Sequence, residues 1–266
     1  MRYLFQSWDE VSLRIEKTEG IFLLLDYDGT ITPIAGKPGM AQLPLRTKRV
    51  LQRISQHSAF KLAIISGRNI SEIKALVGIE NIAYAGNHGL EIECPRGNFV
   101  HPDAGEFQPL VKKLEQELEE KLGNIDGLLI ENKIFTLSVH YRLVRESEVG
   151  KIREAVLAVV ESGGGEDKLK LSQGKKVFEI GPPVAWNKGK AVEWLLDIYG
   201  EREVLPIFAG DDVTDEDGFE VMQRFGGISI FVGQENTLSS AAYYLNSPDE
   251  VCCFLEKLLQ AVFKSG

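Results

Sequence analysis

The run Ile21-Phe22-Leu23-Leu24-Leu25 is apolar without interruption and stops abruptly at Asp26-Tyr27-Asp28-Gly29-Thr30. Apolar residues without polar alternation predict a strand buried on both faces, as at the centre of a parallel sheet. Gly29 lets the chain turn sharply out of that strand. Ligands of such sheets bind at the carboxyl ends of the strands. Asp26 and Asp28 therefore stand at the mouth of a site, separated by Tyr27, with Thr30 in the following turn.

The pattern repeats downstream. Ser12 to Thr18 predicts a surface helix before this strand, and Arg46 to His57 a helix with apolar Val50, Leu51 and Ile54. Phe60 to Ile65 is the next buried strand and ends at Ser66-Gly67-Arg68. Asn69 to Val77 is helical again, and Asn81 to Ala85 is a third strand leading into Gly86-Asn87-His88-Gly89. Strand alternating with helix predicts an α/β fold with a Rossmann-like, doubly wound parallel sheet.

Beyond Pro102 the pattern changes. Phe107 to Leu122 is a charged amphipathic helix; Leu128 to Glu131 and Ile134 to Arg142 predict strands around a turn at Asn132-Lys133. The second of these alternates apolar and polar residues, as a half-solvated antiparallel sheet does. Glu146 to Glu161 is a helix, and Leu169 to Ser172 with Lys175 to Ile180 forms a second hairpin. These elements make an α+β module, residues 106–181, inserted into a core of residues 1–105 and 182–266. Linkers near Asp103–Gly105 and Gly181–Pro183 read as hinges, since Gly frees the backbone and Pro fixes it. The core resumes with a helix over Lys188–Tyr199, a buried strand from Val204 to Ala209 ending at Gly210-Asp211-Asp212, a helix from Phe219 to Phe225, a strand from Ile228 to Val232 and a helix from Val251 to Phe263.

Composition narrows the function. With 44% hydrophobic and 26% charged residues the chain can bury a sizeable core. A net charge of −9 with scattered lysines argues against a nucleic-acid partner, which needs a basic footprint. No apolar run approaches the ~20 residues that span a bilayer, and Met1 to Gly20 carries too many charges for a signal peptide. Cys94, Cys252 and Cys253 make neither a disulfide framework nor a zinc pattern. These features make a reducing cytoplasm the default reading; oligomeric state is left open.

Several polar groups converge on one edge of the parallel sheet if its strands are neighbours: Asp26 and Asp28, then Ser66, Lys188 at a helix start, and Asp211, Asp212 and Asp215. Each has an ordinary reading. Asp-x-Asp-Gly occurs in turns, Ser66 before a helix can be its cap, Lys188 can be a solvated lysine, and an acidic loop is usually solvated. Together they suit a phosphate site. A hydroxyl with exposed amides at Ser66, Gly67 and Arg68 cradles phosphate, a lysine supplies a point charge, and gathered carboxylates call for a hard cation such as Mg²⁺.

In this order the residues resemble the haloacid dehalogenase superfamily of phosphatases. The resemblance spans the whole chain and implies a covalent mechanism, with Asp26 attacking phosphorus and Asp28 protonating the leaving oxygen and then activating water. It also implies Mg²⁺ held by Asp26, Asp28 through its backbone carbonyl, and Asp211, with Ser66, Gly67, Arg68 and Lys188 around the phosphate oxygens. Asp28, set among other carboxylates, is expected to keep its proton longer than Asp26.

A finer resemblance rests on Asn87-His88-Gly89-Leu90-Glu91, Glu131-Asn132-Lys133 followed by His140-Tyr141-Arg142, Glu179-Ile180, Asn187-Lys188-Gly189 and Gly210-Asp211-Asp212-Val213-Thr214-Asp215-Glu216-Asp217. These look like the trehalose-6-phosphate phosphatase family, with one departure: Gly181 stands where that family usually has Arg. The resemblance implies that Glu131, Lys133 and Glu179 of the insert hold sugar hydroxyls; their ordinary reading is solvated strand and turn charges. His88 reads as a structural turn residue and Arg142 as a structural ion-pair residue. A phosphatase for another sugar phosphate, such as sucrose phosphate or a glycosyl phosphoglycerate, and a non-catalytic sugar-phosphate sensor remain the alternatives.

Overall fold

The computed structural model describes residues 1–36, 38–199, 204–235 and 237–264. The chain divides into two compact units, Met1–Phe99 with Trp186–Gly266, and Val100–Ala185. Its first segment holds β1 (Arg2–Tyr3), α1 (Trp8–Glu16), β2 (Gly20–Asp26), α2 (Leu45–Ser55), β3 (Phe60–Ile65), α3 (Ile70–Val77), β4 (Ala83–Gly86), β5 (Glu91–Cys94) and β6 (Gly97–Val100). The second unit follows with α4 (Ala104–Leu122), β7 (Leu129–Asn132), β8 (Leu137–His140), α5 (Glu146–Ser162), β9 (Lys170–Gly174) and β10 (Val177–Gly181). The chain then returns to the first unit with α6 (Lys188–Tyr199), β11 (Val204–Gly210), α7 (Glu216–Arg224), β12 (Ile228–Val232), β13 (Tyr243–Leu245) and α8 (Pro248–Lys264).

Among the described residues the first unit carries a nine-stranded sheet in the order β1-β13-β12-β11-β2-β3-β4-β5-β6. Pairing is parallel from β1 through β4 and turns antiparallel between β4 and β5. The apolar run Ile21–Leu25 lies in its central strand β2, between β11 and β3. Successive side chains of a strand point to opposite faces, and β2 serves both. Leu23 and Leu25 join a core with α1, α2, α3 and α8. Phe22 and Leu24 join the other core, with Ala191 and Leu195 of α6 and Phe219 and Met222 of α7. Burial on both faces is why this strand needs no polar residue before Asp26.

Four short strands were not visible in the hydropathy pattern: β1, β5, β6 and β13, each of two to four residues. The first helix also lies earlier than expected, at Trp8–Glu16 rather than Ser12–Thr18, because Val11 and Ile15 turn inward. Gly105 lies inside α4 and not in a linker.

The second unit is a two-layer α+β module. Its four-stranded antiparallel sheet, in the order β7-β8-β10-β9, lays Leu137, Val139, Phe178 and Ile180 against Val111, Leu114 and Leu118 of α4 and Ile152, Val156 and Val159 of α5. The period-two alternation puts Glu131, Ser138 and Glu179 on the other face, and the register aligns them in a single row with Ser138 in the middle. The β7–β8 hairpin closes tightly: Lys133 N–H donates to the Thr136 carbonyl at 2.9 Å and Phe135 N–H to the Lys133 carbonyl at 3.0 Å. Ile134, between them, has φ of 76°, which for a β-branched residue stores on the order of 1–3 kcal/mol. At Gly181 a Cβ would come within 3.2 Å of the Thr136 methyl, so a side chain there has to displace Thr136.

Candidate active site

The chain leaves β2 through a tight turn. The Tyr27 carbonyl accepts from Ile31 N–H at 3.1 Å and Thr32 N–H at 3.2 Å, and Gly29 N–H donates to the Thr32 carbonyl at 2.8 Å. Gly29 has φ of 89°, a conformation that costs Gly little, and a Cβ at this position would run into the Asp211 carboxylate. The turn thus brings backbone up against the carboxylate of Asp211, the residue that follows the neighbouring strand β11.

Asp26 is buried, and both its oxygens are held: Oδ2 accepts from Thr30 Oγ1 at 3.0 Å, and Oδ1 from Lys188 Nζ at 2.7 Å. Lys188, the first residue of α6, also donates to Asp215 Oδ1 at 2.6 Å. The other oxygen of Asp215 accepts from the amides of Asp211 and Asp212, each at 3.0 Å. Asp26, Asp211 and Asp215 each place a carboxylate oxygen within 4.8 Å of the others. Burial pushes the Asp26 carboxyl well above its usual range; Lys188 pulls it back, while Asp215 and Asp211 push it further up. Burial alone would lower the Lys188 ammonium, but Asp215 and Asp26 outweigh it and hold the ammonium above its ordinary value.

Asp28 lies in different company from that expected. Instead of facing carboxylates, it takes the fork of Arg68, with Nε to Oδ2 at 2.6 Å and Nη2 to Oδ1 at 2.8 Å. Arg68 is buried, its third nitrogen bonds Glu72, and its guanidinium lies over the Tyr27 ring. Burial opposes the guanidinium charge, yet Asp28 and Glu72 hold it above its ordinary value.

Ser66 is buried at the end of β3, where its hydroxyl accepts from Arg68 N–H at 3.2 Å. It does not cap the helix that follows. That is done by Asn69, whose side chain accepts from Glu72 N–H at 2.9 Å. Gly67 is required by contact, since a Cβ would lie 2.7 Å from the His88 ring. Asn87, His88 and Gly89 run in positive φ, at 50°, 55° and 94°, and His88 N–H returns to the Ser66 carbonyl at 3.0 Å. Glu91 fixes this turn by accepting from Ile70 N–H at 2.9 Å and from the Asn87 amide at 2.8 Å. Burial raises the Glu91 carboxyl above its usual value despite those two bonds.

In the second unit, Lys133 Nζ donates to Glu179 Oε1 at 3.0 Å, and Ser138 Oγ donates to the same oxygen at 3.1 Å. Glu131 Oε2 meets His140 Nε2 at 2.7 Å. Arg142, expected in an ion pair, donates to the Lys175 carbonyl at 2.7 Å.

The structure therefore gathers Asp26, Asp28, Ser66, Gly67, Arg68, Lys188 and Asp211 in the first unit. Glu131, Lys133 and Glu179 share one sheet of the second. Sequence reasoning set Asp215 among the carboxylates at the sheet edge without a task of its own, and did not single out Glu72. Asp215 had a signal, because Asp212-Val213-Thr214-Asp215 has the spacing of a capping box. Glu72 had none beyond lying four residues after Arg68.

The trehalose-phosphatase family profile matches residues 24–249. Among curated relatives, the probable trehalose-phosphate phosphatase 3 of Oryza sativa subsp. japonica is 37% identical over 273 residues, covering 96% of this chain and 73% of that protein. Trehalose-phosphate phosphatase B of Arabidopsis thaliana is 37% identical over 266 residues, covering 95% and 70%. In structure, the C-terminal domain of C. albicans trehalose-6-phosphate phosphatase aligns with a TM-score of 0.81 at 22% identity, covering 95% of this chain and 96% of that one. The C-terminal domain of the Candida albicans trehalose synthase regulatory protein aligns at 0.70 and 13% identity, covering 92% and 97%.

Proposed function

Because the chain belongs to the trehalose-phosphatase family, we propose that it is a Mg²⁺-dependent phosphatase that hydrolyses trehalose 6-phosphate to trehalose and phosphate. The observation that carries the chemistry is Asp26: a carboxylate buried at the end of the central strand and held by Lys188 at 2.7 Å. Asp26 attacks phosphorus and the bond to the sugar oxygen breaks, leaving an aspartyl phosphate. Asp28, once released from Arg68 and protonated from solvent, gives that proton to the leaving oxygen, then takes one from the water that releases phosphate and restores Asp26. To do so, its carboxylate must exchange the Arg68 fork for the reacting oxygen. Lys188, Ser66 and the amides of Gly67 and Arg68 stabilise charge on the transferring phosphoryl group.

The donor set fits Mg²⁺, because the cluster offers hard oxygens only. Asp26 and Asp211 would hold the ion with the Asp28 backbone carbonyl, whereas both oxygens of Asp215 already serve Lys188 and two amides. When bound, the ion offsets repulsion between the nucleophile and a dianionic phosphate. Asp215 then acts by placing Lys188 and the Asp211 loop.

Glu131, Lys133 and Glu179 hold the sugar hydroxyls, since carboxylates accept from hydroxyls and an ammonium donates to them. This assigns chemistry to the first unit, as a phosphatase core, and substrate choice to the second, as a cap. Among the described residues no helix is long and apolar enough to cross a membrane, and three free cysteines suit a reducing cytoplasm. A sugar-phosphate sensor needs no nucleophile, and here Asp26, Asp28, Lys188 and Asp211 are all present. Phosphate release from trehalose 6-phosphate, sucrose 6-phosphate, glucosyl-phosphoglycerate and glucose 6-phosphate, with Mg²⁺ or with EDTA, tests the reading. Preference for trehalose 6-phosphate and loss of turnover in EDTA support it. Release from none of them would make the protein a sensor, and preference for another would move the specificity.

A further inference from the structure

Resting on the reading that Glu131 and Glu179 hold sugar hydroxyls, we propose that His140 and Ser138 are positioning residues that fix these two carboxylates to receive one sugar ring. The register sets Glu131 opposite Ser138 and Ser138 opposite Glu179, on the sheet face turned away from α4 and α5. With neighbouring strands about 4.8 Å apart, the two glutamates leave the sheet roughly 9–10 Å from each other. That is a span which hydroxyls on opposite sides of a pyranose can bridge.

A glutamate on an open sheet face has many rotamers and loses that freedom when it binds. Here the freedom is already gone. His140, two residues along β8 from Ser138 and on the same face, reaches across to Glu131 Oε2 at 2.7 Å. Ser138, wholly buried between the two carboxylates, donates to Glu179 Oε1 at 3.1 Å, beside the Lys133 ammonium at 3.0 Å. Lys133 is itself placed by the strained turn at Ile134. None of these five polar side chains belongs to the apolar core on the other face. These pairs are largely enclosed, with side chains 8–23% exposed, and for enclosed pairs the cost of desolvation offsets much of the attraction, so the arrangement does more for a ligand than for the fold. Preorganised carboxylates bind hydroxyls without the ordering cost that loose ones carry.

The test is steady-state kinetics of the full chain on trehalose 6-phosphate and on p-nitrophenyl phosphate, which lacks a sugar. His140→Ala and Ser138→Ala are each expected to raise KM for trehalose 6-phosphate about fivefold to tenfold, with kcat within about twofold and p-nitrophenyl phosphate turnover unchanged. His140→Gln, whose amide nitrogen can take the place of Nε2, should restore most of the loss. In a Glu131→Ala background His140→Ala should add less than about twofold, because it acts through that carboxylate. If Glu131→Ala lowers kcat/KM for trehalose 6-phosphate but His140→Ala does nothing, or adds its full effect in the double variant, the positioning role is overturned while the sugar reading stands. If Glu131→Ala itself changes nothing, the sugar reading fails and this inference falls with it. Should either alanine variant unfold by circular dichroism, His140→Phe, which keeps a ring but no nitrogen, and Ser138→Cys, which keeps the volume but donates weakly, decide by the same criterion.

Discussion

Replacing Lys188 by methionine removes the cation placed between Asp26 and Asp215 and leaves an unbranched apolar side chain of nearly the same length. The Lys188 side chain is 4% exposed and its ammonium bonds both carboxylates, at 2.7 and 2.6 Å. Without it, two like charges face each other at no more than 4.8 Å, which at an effective dielectric constant of about 20 is about 3.5 kcal/mol of repulsion. That agrees with the ~3–5 kcal/mol typical of breaking a buried pair. Part of it can be relieved by a proton. Asp26 is already held above the usual carboxylate range by burial, and losing Lys188 raises it further. A group raised in the folded state favours folding below its unfolded pKa and loses that contribution as pH rises through the folded one. The variant should therefore be destabilised by about 3–4 kcal/mol near pH 8 and visibly less near pH 5. The assay is urea unfolding in EDTA, so that no divalent cation offsets the charge, read on the transition of the first unit. Adding Asp215→Asn should recover most of the loss. A cost below about 1 kcal/mol, flat with pH, would refute the view that Lys188 neutralises this pair.

Asp26→Asn should leave the fold intact and lower kcat by at least about 10⁴-fold, since an amide cannot form the phosphoenzyme; a variant within tenfold of wild type removes Asp26 as nucleophile. Asp211→Ala should raise the Mg²⁺ concentration for half-maximal activity at least about tenfold, because it deletes an anionic ligand, and an unchanged Mg²⁺ titration places the ion elsewhere. Glu91→Gln keeps an acceptor oxygen for Ile70 and Asn87 but removes a buried charge whose carboxyl sits above its usual value. Its thermal midpoint should match wild type in acid, where both side chains are neutral, and rise above wild type as pH climbs past the carboxylate range. A midpoint below wild type at pH 7 would mean that the ionised form is the one the turn uses.

What could be read from the sequence follows from how each feature is encoded. β2, β3 and β11 are mainly apolar and buried on both faces, so their hydropathy alone marks them. β13, of three residues, is too short for any period, and β1 consists of Arg2 and Tyr3. Their strand character comes from a neighbour supplied by the other end of the chain. Among site residues, Asp26 and Asp28 announce themselves by ending an apolar run. Arg68 was legible as a residue next to a phosphate loop, but its engagement with Asp28 was not, because the two lie forty positions apart. Sequence proximity among Asp211, Asp212 and Asp215 suggested one acidic loop; the structure gives them separate tasks. Asp215 turns inward to Lys188 and two amides, and Asp212 donates an amide to it and accepts from Val213 at 2.7 Å.

The two neighbours of β2 reach it at very different times in the life of the chain. On one side β3 begins at Phe60; on the other, Gly20 pairs with Val204, which a ribosome adds only after the whole inserted unit. Until then the most apolar strand of the protein has an open edge, while Val100–Ala185 is contiguous and carries its own core. At ~5–20 residues per second of synthesis, the inserted unit has seconds in which to fold before the strand it interrupts is closed. Truncated chains that stop before Val204 should accordingly collect in aggregates through that edge, whereas Asp211 and Asp215, two of the three clustered carboxylates, join Asp26 only in the final act of assembly.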